Sequence, residues 1–374
     1  MNKKIIALVT NNDDDVYCFR KELIERLIIS GYEMLISCPD GPKFQLMKDI
    51  PYYYDNSYID RRGTNIVSDA TLFLHYLRLF RRYRPAAVLT YTAKPNVYAG
   101  FAAKLLGIPY ICNVTGLGSV INQPKLVKNV ILGLFKIAYR NADCVMFQNA
   151  TNMELALANG MVKGEYQLIP GSGVNTTRYP EQPYPEGGDG QVGKTVVFNY
   201  IGRILYDKGV DDYIAAAKKI RNEFPNTEFN MIGFIEPTEM HYEKELKELE
   251  EQEIIFYRGS QLDVKPFIKR SHAIIHPSTY GEGMSNVLLE NASSSRPIIT
   301  TDNPGCQEIV NENISGYIYQ GGNVDDLVEK IKAFLKLNNY ERAEMGRAGR
   351  EKVKMEFERN IVVDSYLEQI KRIV

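Results

Sequence analysis

Glu282 and Glu290 stand with seven residues between them in the run His276-Pro-Ser-Thr-Tyr-Gly-Glu-Gly-Met-Ser-Asn-Val-Leu-Leu-Glu290. The run follows a predicted strand, makes a turn flanked by Gly281 and Gly283, and opens an apolar helix with Ser285 at the N-cap position. Glycines let the backbone approach a ligand closely, and free amides at a helix start, with the helix dipole, favour a phosphate group. Glu282 lies in the turn and Glu290 about one and a half turns into the helix, so both carboxylates can face one cleft from different depths. Carboxylates that accept hydrogen bonds from hydroxyls are what a sugar and a ribose require. Taken alone, the segment also reads as a solvated Glu290 and an ordinary loop glutamate. A second segment, Tyr200-Ile-Gly-Arg203-Ile-Leu-Tyr-Asp-Lys208-Gly209, likewise ends a strand and opens a helix. It sets a bidentate guanidinium and an ammonium at the same predicted sheet edge, where two fixed cations could neutralise a leaving diphosphate without a metal.

Other motifs fail their context. Gly188 to Thr195 matches the P-loop string G-x-x-x-x-G-K-T, but it follows a Pro-rich stretch and runs into a strand, the reverse of what a phosphate cradle needs. Gly116-Leu-Gly118 begins a dinucleotide fingerprint whose third position is Ile121, with no acid at the usual distance, so a nicotinamide enzyme is disfavoured. The four histidines show no metal spacing, and His272 and His276 read as core or loop-edge residues. No Ser/His/Asp or Cys/His constellation stands out, so no enzyme nucleophile, cofactor or metal is predicted.

These residues need a scaffold, and length and composition bound it. The chain has 374 residues, more than one core usually carries, with 44% hydrophobic and 24% charged residues, the profile of a globular chain of two domains. Apolar runs at Ile5 to Val9, Glu33 to Cys38, Ala86 to Tyr91, Tyr110 to Val114, Cys144 to Gln148 and Gln167 to Ile169 alternate with amphipathic, helix-length segments. The alternation restarts at Val196 to Ile201, Glu228 to Ile232, Ile254 to Tyr257, Ala273 to His276 and Pro297 to Thr300. The predicted class is therefore α/β, with two doubly wound parallel-sheet domains facing an interdomain cleft. The expected division is a first domain over 1–178, a Pro- and Gly-rich linker over 179–194, and a second domain over 195–374 whose last helix packs back on the first.

Net charge is −1, but residues 1–178 hold 21 Lys and Arg against 14 Asp and Glu, whereas 179–374 hold 24 against 32. The basic first part suits an anionic partner or unevenly charged solvated faces. Nucleic acid is disfavoured, because Arg78 to Arg84 is one short cluster without interleaved stacking aromatics. Asn11 to Asp15 cut the first apolar run too short for a signal peptide, no run is long enough to span a bilayer, and five scattered cysteines suit a reducing cytoplasm.

The combination of Gly202-Arg203 with Lys208-Gly209, the E-x7-E pair, and Ile169-Pro-Gly-Ser-Gly-Val-Asn resembles the family 4 glycosyltransferases of GT-B fold, retaining enzymes that use nucleotide-diphosphate sugars. Leu89-Thr-Tyr-Thr-Ala-Lys-Pro-Asn96 and Asn113-Val-Thr-Gly-Leu-Gly118 resemble the branch that builds bacterial surface polysaccharides and lipid-linked oligosaccharides. The resemblance implies a metal-independent hexosyltransferase drawing on a UDP-hexose or UDP-N-acetylhexosamine and acting on a saccharide or polyprenyl-diphosphate acceptor. It implies that Arg203 and Lys208, after Gly202, hold the diphosphate and Glu290 the ribose. Glu282 and the amides of Gly283, Met284 and Ser285 would meet the donor sugar and distal phosphate. Lys94, Thr115, Gly116, Arg61 and Arg62 fall on the acceptor side. Two positions depart from the family pattern: Thr10 to Asp15 replaces a Gly-rich loop, and Asn113, Thr115 and Gly116 stand where many members carry a histidine. A sugar-nucleotide epimerase of the same architecture and an inactive sugar-nucleotide-binding scaffold are the alternatives. Peripheral contact with the inner face of an anionic plasma membrane is also expected, through the segment Gln123 to Arg140, which carries Lys125, Lys128, Lys136 and Arg140 on a broad apolar helix. The same helix reads equally as a core helix whose cations snorkel to solvent.

Overall fold

Strands covered by helices on both faces should be near-continuous apolar runs, and most inner strands of this chain are. The computed structural model describes residues 3–59, 65–116, 125–186 and 195–374, with side chains of the helix from residue 125 described from 128 onward. The chain divides into two units, Met1–Gly173 with Arg359–Val374, and Val174–Glu358.

In the first unit β1 (Ile5–Val9), β2 (Glu33–Cys38), β3 (Tyr53–Asn56), β4 (Ala87–Tyr91), β5 (Tyr110–Val114), β6 (Cys144–Phe147) and β7 (Glu165–Leu168) form one parallel sheet in the order β3-β2-β1-β4-β5-β6-β7. Side chains alternate between the faces. Ala7, Val9, Val88 and Cys112 pack under α2 (Ile66–Tyr83), α3 (Ala93–Leu105) and α4 (Lys125–Arg140). Ile6, Leu8, Leu89 and Ile111 pack on the other face under α1 (Lys21–Ile29). α5 (Ala150–Ala158) connects the last two strands.

In the second unit β8 (Val196–Ile201), β9 (Thr227–Ile232), β10 (Phe256–Tyr257), β11 (Ala273–His276), β12 (Ile298–Thr301) and β13 (Gly316–Tyr319) are ordered β10-β9-β8-β11-β12-β13, again all parallel. One face carries α6 (Val210–Glu223), α7 (His241–Glu251) and α10 (Val324–Lys336); the other carries α8 (Lys265–Arg270), α9 (Asn286–Ser293) and α11 (Asn339–Glu356). The final helix, α12 (Arg359–Ile373), belongs to the first unit, where Val362, Val363, Tyr366 and Ile370 join the core beside α1. In each sheet the strand order reverses once, between β1 and β4 and between β8 and β11, and ligands of such sheets bind beyond the C-terminal ends of the strands at that reversal.

The Pro-rich stretch departs from the expectation of a free linker. The units divide at Gly173, ahead of it. Its described part, 179–186, is tied to the second unit: the buried Arg296 guanidinium donates to the carbonyls of Gln182 and Pro183, the Tyr184 hydroxyl to that of His272, and the Asn339 amide to that of Pro185. The P-loop-like string, Thr195 excepted, lies outside the described residues.

Candidate active site

The loops after β8, β9, β11 and β12 converge at the reversal point of the second sheet. After β8, Gly202 takes φ +159° and is followed by Arg203; a short 3₁₀ turn, Tyr206–Lys208, then leads through Gly209 into α6. Gly209 has φ +72°, and a Cβ there would run into the Pro277 carbonyl of the loop after β11. The glycine is what allows the Lys208 loop to lie against that neighbour, and the Thr279 amide completes the contact by donating to the Asp207 carbonyl at 3.1 Å.

The outcome is one charged cluster. The Lys208 ammonium touches Glu282 Oε1, with both side chains largely shielded. Ser278 Oγ donates to the same oxygen at 3.3 Å, and His276 Nε2 lies 3.9 Å from it. The ring of Tyr280 packs 4.9 Å from the Lys208 ammonium and 6.0 Å from the Arg203 guanidinium, whose Nη1 donates to Glu236 Oε2 at 3.3 Å. Burial opposes ionisation of Glu282, but the Lys208 charge and the hydrogen bonds from Lys208 and Ser278 outweigh it, so its carboxyl sits below the usual glutamate range. Burial, reinforced by the Lys208 charge, pushes His276 down to about 4, so the imidazole is neutral at physiological pH.

The helix start is less open than the sequence implies. Ser285 occupies the N-cap position of α9, but its hydroxyl caps no amide and pairs with His276 Nε2 at 3.2 Å. Its own N–H donates to the Gly305 carbonyl at 2.8 Å, which corrects the expectation that all three amides from Gly283 to Ser285 await a ligand. The Met284 side chain, 7% exposed, packs with Leu288 and Leu289 in the core, leaving only its main chain for a substrate. Gly283 is buried and adjoins Gly305, and Glu290 is partly buried on α9.

On the first sheet, Lys94 follows β4 at the start of α3, and Thr115 and Gly116 follow the adjacent β5. Lys94 is paired with Asp69 of α2 at 2.6 Å, and the Tyr98 hydroxyl donates to the same carboxylate at 2.8 Å, so this lysine also ties two helices together. Asn113 is fully buried and committed: its amide donates to the Tyr366 hydroxyl at 2.7 Å, its oxygen accepts from Gln148, and its carbonyl accepts from Asn96. It therefore does not reach a substrate. Arg61 and Arg62 lie outside the described residues. Among the described residues no group of three or more His, Cys, Asp or Glu is arranged to hold a metal ion.

Sequence reasoning passed over Glu236, Tyr280 and Ser278, and read His276 as a core or loop-edge residue without assigning it to the site. Ser278 and Tyr280 sit inside the motif that carried Glu282, so their positions were readable. Glu236 had no local signal, because its partner is 33 residues away on another loop.

The whole chain matches known proteins over both halves. Residues 4–149 match the family model "Glycosyl transferase 4-like", and residues 189–352 match "Glycosyl transferases group 1". The N,N'-diacetylbacillosaminyl-diphospho-undecaprenol alpha-1,3-N-acetylgalactosaminyltransferase of Campylobacter jejuni is 23% identical over 99% of both chains. The capsular polysaccharide biosynthesis glycosyltransferase CapM of Staphylococcus aureus is 25% identical over 96% of this chain and 95% of its own. Among solved structures, Anabaena HepE in complex with UDP and glucose shares the fold, with a TM-score of 0.78 at 15% identity over 99% of this chain and 100% of that one. With matching models on both halves and a GT-B architecture throughout, the chain belongs to the glycosyltransferases of the 4-like and group 1 type.

Proposed function

We propose that the protein is a retaining, metal-independent hexosyltransferase that moves a sugar from a UDP-hexose or UDP-N-acetylhexosamine to a saccharide or polyprenyl-diphosphate-linked acceptor in bacterial surface polysaccharide synthesis. The observation that carries this reading is the gathering of Arg203, Lys208 and Glu282 at the reversal point of the second sheet. Two cations there suit a diphosphate, and Glu282 beside them suits the sugar it bears. The relatives named above support a lipid-linked or capsular product, and the UDP held by HepE supports the donor class.

In this reading the bond between the sugar's anomeric carbon and the β-phosphate oxygen breaks as the acceptor hydroxyl bonds to the same face of that carbon. The hydroxyl proton passes to the departing phosphate oxygen, so no side chain need act as a nucleophile. Arg203 and Lys208 stabilise the charge that grows on the diphosphate, Glu290 accepts from the ribose hydroxyls, and Gly202 and the main chain at Gly283 and Met284 allow close approach. Lys94, Thr115 and Gly116, with Arg61 and Arg62, receive the acceptor. The enzyme works in the cytoplasm, with peripheral contact at the inner membrane face.

The test is incubation with a panel of labelled nucleotide sugars and extracted carrier lipids, followed by NMR of the anomeric proton in the organic-phase product. Label in the carrier with the donor's own configuration supports the proposal; an inverted product, or nucleotide release with no label transferred, contradicts it.

A further inference from the structure

Arg203 is held from two sides. Glu236 accepts from its Nη1, and the Tyr280 ring flanks its guanidinium. The Glu236 side chain is 12% exposed against 35% for Arg203, so the carboxylate is the more enclosed partner. The remaining guanidinium nitrogens, Nε and Nη2, have no hydrogen-bond partner among the described residues. The backbone fixes this pairing. The Ile204 amide donates to the Phe234 carbonyl at 2.9 Å, and the Glu236 amide donates back to the Ile204 carbonyl at 3.1 Å, so the loops after β8 and β9 run as a short ladder beside Arg203. Gly233 makes the approach feasible, since a Cβ there would collide with the Gly202 carbonyl.

A guanidinium is a planar fork of five donors, and anchoring one arm fixes the plane in which the others point. The anchor is itself an anion beside a site for an anion, so it works against ground-state binding while improving aim. We infer that Glu236 is a positioning residue for Arg203: it orients the guanidinium toward the donor diphosphate and holds down the affinity of the site for that diphosphate. The inference rests on the reading of Arg203 as a diphosphate ligand.

The two effects move in opposite directions in Glu236→Gln, which keeps the shape and loses the charge. UDP, titrated by calorimetry, should bind about threefold or more tightly once a nearby negative charge is removed. At the same time kcat for sugar transfer should fall about tenfold, because the guanidinium is no longer pre-aimed. The fall in kcat should vanish when Glu236→Gln is made on an Arg203→Ala background, whereas the tightening of UDP, which comes from the lost charge itself, should persist there. A Glu236 that merely stabilised the fold would slow turnover without tightening UDP. Weaker or unchanged UDP binding in E236Q, or the same fall in kcat with Arg203 absent, overturns the inference. An Arg203→Ala enzyme that transfers sugar with the wild-type kcat overturns the underlying reading, and the inference with it.

Discussion

An ammonium has three donors, so Lys208 can keep its contact with Glu282 and still receive a phosphate oxygen. That arrangement makes the cation more useful as charge develops than in the ground state. Lys208→Ala and Arg203→Ala should therefore each lower kcat about 10²–10³-fold with little change in KM; a raised KM at normal kcat would mean that they only tether the substrate. The two acids should separate. Glu290→Gln should weaken UDP and UDP-sugar alike by about 1.5–3 kcal/mol, the range for hydrogen bonds to charged groups, whereas Glu282→Gln should spare UDP and slow only the sugar-dependent step. Equal UDP binding by both variants contradicts that division. His276 makes a further claim, about pH. Its folded value, about 4 against an ordinary 6.5, means that the native protein binds fewer protons than the unfolded chain between those limits. Its contribution to stability is present above pH 6.5 and is lost as pH falls toward 4, by up to about 3 kcal/mol. Urea unfolding of the wild type should show that fall and His276→Asn a shallower one; parallel curves would remove His276 from the account. Arg203, Lys208, Glu282 and Glu290 were legible in the sequence, whereas the contacts of His276 with Ser285 and Glu282 were not, because these residues lie close in the chain but meet only through the way one loop folds back.

The elements were far more legible, since a buried parallel strand announces itself as an apolar run and β1, β2, β5, β8 and β11 have the bounds that the runs predict. The two strands that escaped, β3 and β13, are both sheet edges. β3, Tyr-Tyr-Asp-Asn, is largely exposed, and β13, Gly-Tyr-Ile-Tyr, is short and begins with glycine, so neither shows a continuous apolar run. The Pro-rich segment misled for the opposite reason: its composition speaks for exposure, but its carbonyls are gathered by a buried arginine more than a hundred residues away. Helix α4 shows both of the faces that the sequence left open. Phe135, Ala138 and Tyr139 are buried in the core, while Val130 and Ile137 are 61% and 52% exposed. No described helix is long and apolar enough to cross a membrane. Apolar exposure beside Lys128, Lys136 and Arg140 supports contact with an anionic leaflet, at about 1 kcal/mol per basic residue near the surface. The protein should co-sediment with anionic liposomes at low salt and release at high salt, and replacing Lys125, Lys128 and Lys136 with Glu should abolish this while UDP binding survives. Absence from the pellet at low salt, with full activity on a water-soluble acceptor, would remove the membrane from the account.

At the scale of the whole molecule, the two sheets repeat one design, an order that reverses once with the candidate residues beyond the C-terminal ends of the strands beside that reversal. The second sheet is furnished with two cations and three carboxylates, Glu236, Glu282 and Glu290, whereas the first offers Lys94, a rigid Asn113 network and the backbone at Thr115 and Gly116. If the second sheet receives the donor, as proposed, chemistry concentrated there is what a transferase needs when the leaving group carries most of the developing charge. The central claim is that Arg203 and Lys208 alone neutralise that charge. It is tested most directly by the rate of sugar transfer in EDTA against the rate in magnesium. The account predicts equal rates for the wild type, with the hundredfold losses of Arg203→Ala and Lys208→Ala unchanged by added metal. Activity abolished by EDTA and restored by magnesium would contradict it.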